Sequence, residues 1–299
     1  MDAEPQSSQP VAREGHIPVA GAQLYYREIG QGEPILILHG GPSFDHAYLL
    51  PDMDRLADAF RLIYYDQRGR GKSGSNVQPE AVTLASEIAD LDAVRAYFQL
   101  EPVALLGHSW GGLLAMEYAL RHPKRISRLI LLNTAPASHD DCVLFEQTRD
   151  ANAPDAAETL RTLESRPGFA EDLQTRAAYY RVYFRATLRQ PELLDRLIEH
   201  LQVGWTKEGV LTARAIADRL WSETYESVGY NLLPALTRLC IPTLIWHGDY
   251  DFIPVACAAH IAEAIPGSHL VVAPNCGHFS YLEHPDEVRE AVTGFFTSA

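Results

Sequence analysis

Cysteine is scarce in this 299-residue chain: Cys142, Cys240, Cys257 and Cys276 form no CxxC pair and no disulfide-framework spacing. So few thiols in so long a sequence exclude a stapled secreted scaffold and favour a reduced, cytoplasmic setting. No apolar run approaches the ~20 residues that would span a bilayer. The opening MDAEPQSSQPVAREG is polar and lacks the apolar stretch of a secretory leader, so a flexible tail is expected over residues 1–15. Basic residues are also in deficit, 25 against 39 acidic ones, for a net charge of -14. Such a surface repels phosphate backbones and anionic lipid, so neither nucleic acid nor membrane is an expected partner. No HExxH or comparable ligand spacing occurs, and GRGKSG (69–74) lacks the phosphate-loop spacing, so neither metal nor nucleotide cofactor is expected.

What is present is an ordinary globular balance, 46 % hydrophobic and 21 % charged. Short apolar runs recur: ILIL (35–38), RLIYY (61–65), VALL (103–106), RLILL (128–132), PTLIW (242–246) and HLVVA (269–273). Continuous runs of this length suit strands buried on both faces of a parallel sheet. GAQLYYREI (21–29) alternates and ends at Gly30, as an antiparallel edge strand would. Helical patterns lie between the runs, at 80–99, 111–121 and 285–297, the last opening with Pro and acids. Strand and helix in alternation predict a doubly wound, mostly parallel α/β fold. The alternation lapses from 139 to 229, where Ala- and Arg-rich segments carry helical periodicity alone. This predicts a helical cap over 139–229, inserted into a core made of 16–138 and 230–299.

Chemistry concentrates where strands end. VALL runs into Gly107-His108-Ser109-Trp110-Gly111-Gly112 and then into a helix. A serine exposed at the top of a parallel strand needs a sharp strand-to-helix turn, with glycines two positions either side so that backbones can pass. The helix N-terminus that follows favours an oxyanion. ILIL ends in His39-Gly40-Gly41-Pro42, a loop that can bring the Gly41 N–H up beside the Trp110 N–H as a second oxyanion donor. Asp249 and Asp251 follow one later strand and His278 the next, and ligands in such sheets bind outside the strands' C-terminal ends. Asp251, three residues past Gly248, is expected to orient His278, with Asp249 a turn residue; the chain order Ser, Asp, His is that of this architecture. Ser109 as nucleophile, His278 as general base and Asp251 as its orienting acid therefore predict a serine hydrolase working through an acyl-enzyme. A dehalogenase or epoxide hydrolase would place Asp at 109. His39, His108, His247 and His284 are expected to be structural, His39 as a brace of its loop.

HGGP (39–42), DQRGRGKS (66–73), GHSWGG (107–112), GDYD (248–251) and GHF (277–279) together resemble the proline iminopeptidase branch of the α/β hydrolases. The likeness spans about 30–135 and 240–299, most of the core and little of the cap. It implies an aminopeptidase releasing N-terminal residues, proline above all, from small peptides or amides. The same core motifs also serve carboxylesterases and C–C bond hydrolases. Members usually read HGGPG, whereas Ser43 follows Pro42 here, and His108 stands where many carry Gly. The resemblance further implies cap carboxylates that read the substrate amine, with Glu223 and Glu226 beside Trp221 and Tyr225 as candidates. Arg68 is expected to pin loops near the site.

Overall fold

The computed structural model describes residues 11–74 and 76–297. Eight strands form one sheet in the order β1-β2-β4-β3-β5-β6-β7-β8. They are β1 (Arg13–Val19), β2 (Ala22–Ile29), β3 (Glu33–Leu38), β4 (Phe60–Tyr65), β5 (Val103–His108), β6 (Ile126–Leu132), β7 (Thr243–Gly248) and β8 (His269–Ala273). From β4 to β8 all neighbours run parallel, while β1 and β2 are antiparallel to their partners. The doubly wound α/β architecture read from the apolar runs is the one observed.

Two expectations at the N-terminal side need correction. Residues 1–10 lie outside the described residues, but β1 begins at Arg13, inside the stretch expected to be a tail. It is held by backbone pairing to β2, with Ile17 opposite Leu24 and both side chains buried. Consequently β2 is not an edge strand: it lies between β1 and β4. Gly15 and Pro18 interrupt the pattern of β1, and an outermost strand is where the sheet tolerates proline.

Alternation along the central strands loads both faces. Leu36 and Leu38 enter one apolar cluster with α1 (Leu84–Tyr97) and α2 (Trp110–Arg121), whereas Ile35 and Ile37 enter another on the opposite side. Thr83 begins α1 with a capping box shared with Ser86. Between β6 and β7 come α3 (His139–Asn152), α4 (Pro154–Glu164), α5 (Leu173–Arg185), α6 (Leu194–Leu201), α7 (Lys207–Glu223) and the short α8 (Leu233–Leu236). The chain leaves and re-enters the core at one point. Ser138 bridges Asn231, the His139 N–H donates to the Tyr230 carbonyl, and the Leu232 N–H donates to that of Ala137. The helices α9 (Val255–Ala264), α10 (Ser280–Glu283) and α11 (Pro285–Thr297) complete the fold.

Candidate active site

Ser109 sits where β5 turns into α2, with φ 54° and ψ -120°. A non-glycine residue at positive φ is strained, and the surroundings must fix it there. They do so through the main chain: the Ser109 N–H donates to Leu132 at 3.1 Å, and its carbonyl accepts from Gly112 and Ala135 at 2.8 and 3.0 Å. The flanking glycines are required by close approach. A Cβ on Gly107 would strike the Gly111 carbonyl, and one on Gly111 would strike that of Leu38.

His278 lies in the loop between β8 and α10, and its Nδ1 stands 2.9 and 3.0 Å from the two carboxylate oxygens of Asp251. Asp251 also accepts from the Ile253 N–H at 2.9 Å and from Asn133 Nδ2 at 2.9 Å. Burial alone would raise this carboxyl, but the facing His278 and His247 rings and these donors hold it below the ordinary value. Asp249, by contrast, is exposed and accepts from the Cys276 N–H at 3.2 Å. Asn133 directly follows β6 at φ 46°, and its side chain also reaches the Gly277 carbonyl and the Ser280 hydroxyl. It is the position that the apolar pattern, ending at Leu132, did not single out.

Three histidines, His39 and His247 buried and His284 half-buried, bond to the main chain of nearby loops. His39 donates from Nδ1 to the Gly40 carbonyl and accepts the Gln67 N–H at Nε2, both at 3.0 Å. His247 reaches the Ile253 carbonyl at 2.7 Å, and His284 that of Asn275 at 3.1 Å. Arg68 pairs with Asp90 and with the Ala20 carbonyl, away from the cavity walls. Asp45, His46 and Asp66 form the one cluster of three potential metal ligands among the described residues. Asp66 is already engaged there by His46 Nδ1 at 2.6 Å and by the N–H groups of His46 and Lys72.

Ser109, His278, Gly41 and Trp110 line one cavity of 310 Å³ between the strand ends and the helices α3, α4, α5 and α7. Its walls are largely aromatic: Phe44, Phe145, Tyr179, Tyr180, Tyr183, Phe184, Phe252 and Phe279. Trp221 belongs to this lining, but Glu223 and Glu226 do not. The Glu223 carboxylate instead accepts the Leu84 N–H at 2.8 Å at the start of α1 and faces Arg219, while Glu226 is exposed. Their assignment to substrate binding is therefore withdrawn, because both turn away from the cavity. The carboxylates on the lining are Glu164 and Asp218, both largely exposed. Three arginines accompany them: Arg149, Arg176 and Arg214.

The chain belongs to the alpha/beta hydrolase fold family, which matches residues 33–285. Within that family its sequence places it with the proline iminopeptidase-like branch. It is 30 % identical to the proline iminopeptidase of Lactobacillus crispatus, across 93 % of this chain and 95 % of that one. The proline iminopeptidase of Mycobacterium smegmatis shares the fold with a TM-score of 0.72 at 22 % identity, covering 96 % and 98 % of the two chains. A thermophilic esterase from Thermogutta terrifontis superposes with a TM-score of 0.67 at 28 % identity, again over 96 % and 98 %. Among the described residues no helix is long and apolar enough to cross a membrane.

Proposed function

We propose that this protein is a serine hydrolase that forms an acyl-enzyme and releases N-terminal residues from small peptides or amides. Residues 139–229 act as the cap that closes the substrate cavity. The observation that carries the reading is the pairing of His278 Nδ1 with Asp251, together with His278 and Ser109 on the wall of one cavity. With Nδ1–H donating to the carboxylate, Nε2 is left unprotonated and able to accept a proton. Ser109 Oγ attacks the scissile carbonyl and passes its proton to His278, while the Gly41 and Trp110 N–H groups receive the oxyanion. His278 then protonates the leaving amine, and water, deprotonated by the same ring, releases the acid from Ser109.

The iminopeptidase relatives support the amide preference. An ester preference is the second reading, supported by the Thermogutta likeness and by an aromatic cavity whose lining carboxylates, Glu164 and Asp218, are exposed. Proline-, alanine- and leucine-naphthylamides assayed beside short p-nitrophenyl esters separate the two. Ester turnover without amide turnover overturns the aminopeptidase assignment and leaves the serine chemistry standing. Unchanged turnover in Ser109→Ala removes both.

A further inference from the structure

The three cavity arginines differ in how they are satisfied. Arg149 donates to Asp150 at 2.9 Å, and Arg214 stands 3.7 Å from Asp218. Arg176 has neither. It is 4 % exposed, its Nε is buried without a partner, and its guanidinium makes no hydrogen bond or ion pair among the described residues. Its Cζ stands 5.9 Å from the centroid of the Tyr180 ring. A buried, always-charged group with no counter-ion is costly, and what faces it is the cavity.

Its place on α5 sets a distance. Arg176, Tyr180 and Phe184 recur every four residues along one face of the helix. Phe184 packs on Phe279, the neighbour of His278, at 4.9 Å between ring centroids. Tyr180 packs on Phe44, close to the Gly41 loop, at 5.2 Å. Arg176 lies two turns further, about 12 Å along the axis from Phe184. One wall thus runs from the reaction centre across aromatic rings to an unpaired cation.

We propose that Arg176 binds a carboxylate at the far end of the substrate, separated from the reacting carbonyl by an apolar span on the order of 10 Å. The substrate class is an amide or ester with an anionic tail, of which a short peptide with a free C-terminus is one form. The proposal rests on the serine hydrolase reading for which end reacts, but the anion site itself can be tested without turnover. Octanoate and octanamide, equal in length and differing in charge, are titrated calorimetrically into the wild-type protein, Arg176→Met and Ser109→Ala. Octanoate is expected to bind roughly tenfold to a hundredfold more tightly than octanamide in the wild type and in Ser109→Ala. Arg176→Met should abolish that difference and leave octanamide binding in place. Should Arg176→Met not fold, the preference in the wild type, its fall with salt and its reduction in Arg176→Lys decide the matter. Equal binding of the two probes, or an octanoate preference that survives in Arg176→Met, overturns the proposal. So does acetate or inorganic phosphate binding as tightly as octanoate, which would mark a small-anion site and not a substrate tail. If Ser109→Ala retains turnover while the octanoate preference holds, the serine reading falls and the anion site stands.

Discussion

Tyr48 and His108 share a hydrogen bond of 2.7 Å that ties together the loops carrying Gly41, Ser109 and His278. The Tyr48 hydroxyl accepts the Gly40 N–H at 2.7 Å and donates to His108 Nδ1, and His108 Nε2–H donates to the His278 carbonyl at 3.0 Å. The loop after β3, the turn at Ser109 and the loop of His278 are thereby locked through two buried side chains. The tautomer of His108 follows from this chain of donors. Position 108, directly before Ser109, is thus occupied by the central member of a brace.

Removing the hydroxyl with Tyr48→Phe leaves the buried Gly40 N–H and His108 Nδ1 without partners. The expected cost is about 2 kcal/mol of stability, with kcat falling more than KM rises. Thermal unfolding and steady-state kinetics check both parts, and an unchanged melting temperature would speak against the brace.

His108 also carries a pH signature. Burial, with the nearby His278 ring, pushes its pKa down to about 3, so it is neutral in the folded protein at ordinary pH. Below its unfolded value of about 6.5 the unfolded chain binds a proton that the folded one refuses. Its contribution is therefore complete above pH 6.5 and is lost on acidification toward 3, at about 1.4 kcal/mol per pH unit. In His108→Gln, the slope of stability against pH between 6 and 4 should be flatter by that amount. Denaturant unfolding at several pH values measures it; parallel curves for the two proteins would refute the assignment.

Asn133 donates to Asp251 Oδ2 at 2.9 Å, the oxygen that also lies 3.0 Å from His278 Nδ1. Asn133→Ala removes one donor from the Asp251 carboxylate and loosens the loop at Gly277, so kcat should fall roughly tenfold with little change in KM. Asp251→Asn should cost far more, on the order of 10⁴-fold, because the imidazole would then be held in the wrong tautomer. Equal losses in the two variants would mean that Asp251 acts only as a structural prop.

Glu223→Gln separates the helix-start contact from amine recognition. Loss of a charged acceptor for the Leu84 N–H should lower stability by about 1 kcal/mol or less, given its partial exposure. KM for free-amine and acylated-amine substrates should stay in the wild-type ratio. A selective rise for free amines would restore Glu223 to substrate binding.

The reach of local patterns explains what was legible. Six apolar runs gave six parallel strands; five are buried on both faces, which needs apolar residues consecutively, while β8 at the sheet edge leaves Val272 exposed. The G-x-S-x-G turn was equally readable, since Gly107 and Gly111 are dictated by backbone crossings within one strand–turn–helix unit and against Leu38. β1 escaped because Gly15 and Pro18 blur its alternation and its pairing partner alone makes it a strand. Glu223 and Arg176 escaped for a further reason: in an amphipathic helix, composition gives a polar face but not what that face meets.

Residue order by itself determined the six parallel strands, the turn that exposes Ser109, and the loops that carry Asp251 and His278, because these depend on short-range sterics and hydrophobic period. Only the tertiary structure decided that Tyr48 and His108 lock those loops, that Glu223 faces α1, and that Arg176 faces the cavity unpaired. Those relationships join residues 60, 139 and 67 positions apart (Tyr48 to His108, Leu84 to Glu223, Ser109 to Arg176). A side chain's partner over such separations is set by how the helices pack on the sheet, which no local pattern encodes.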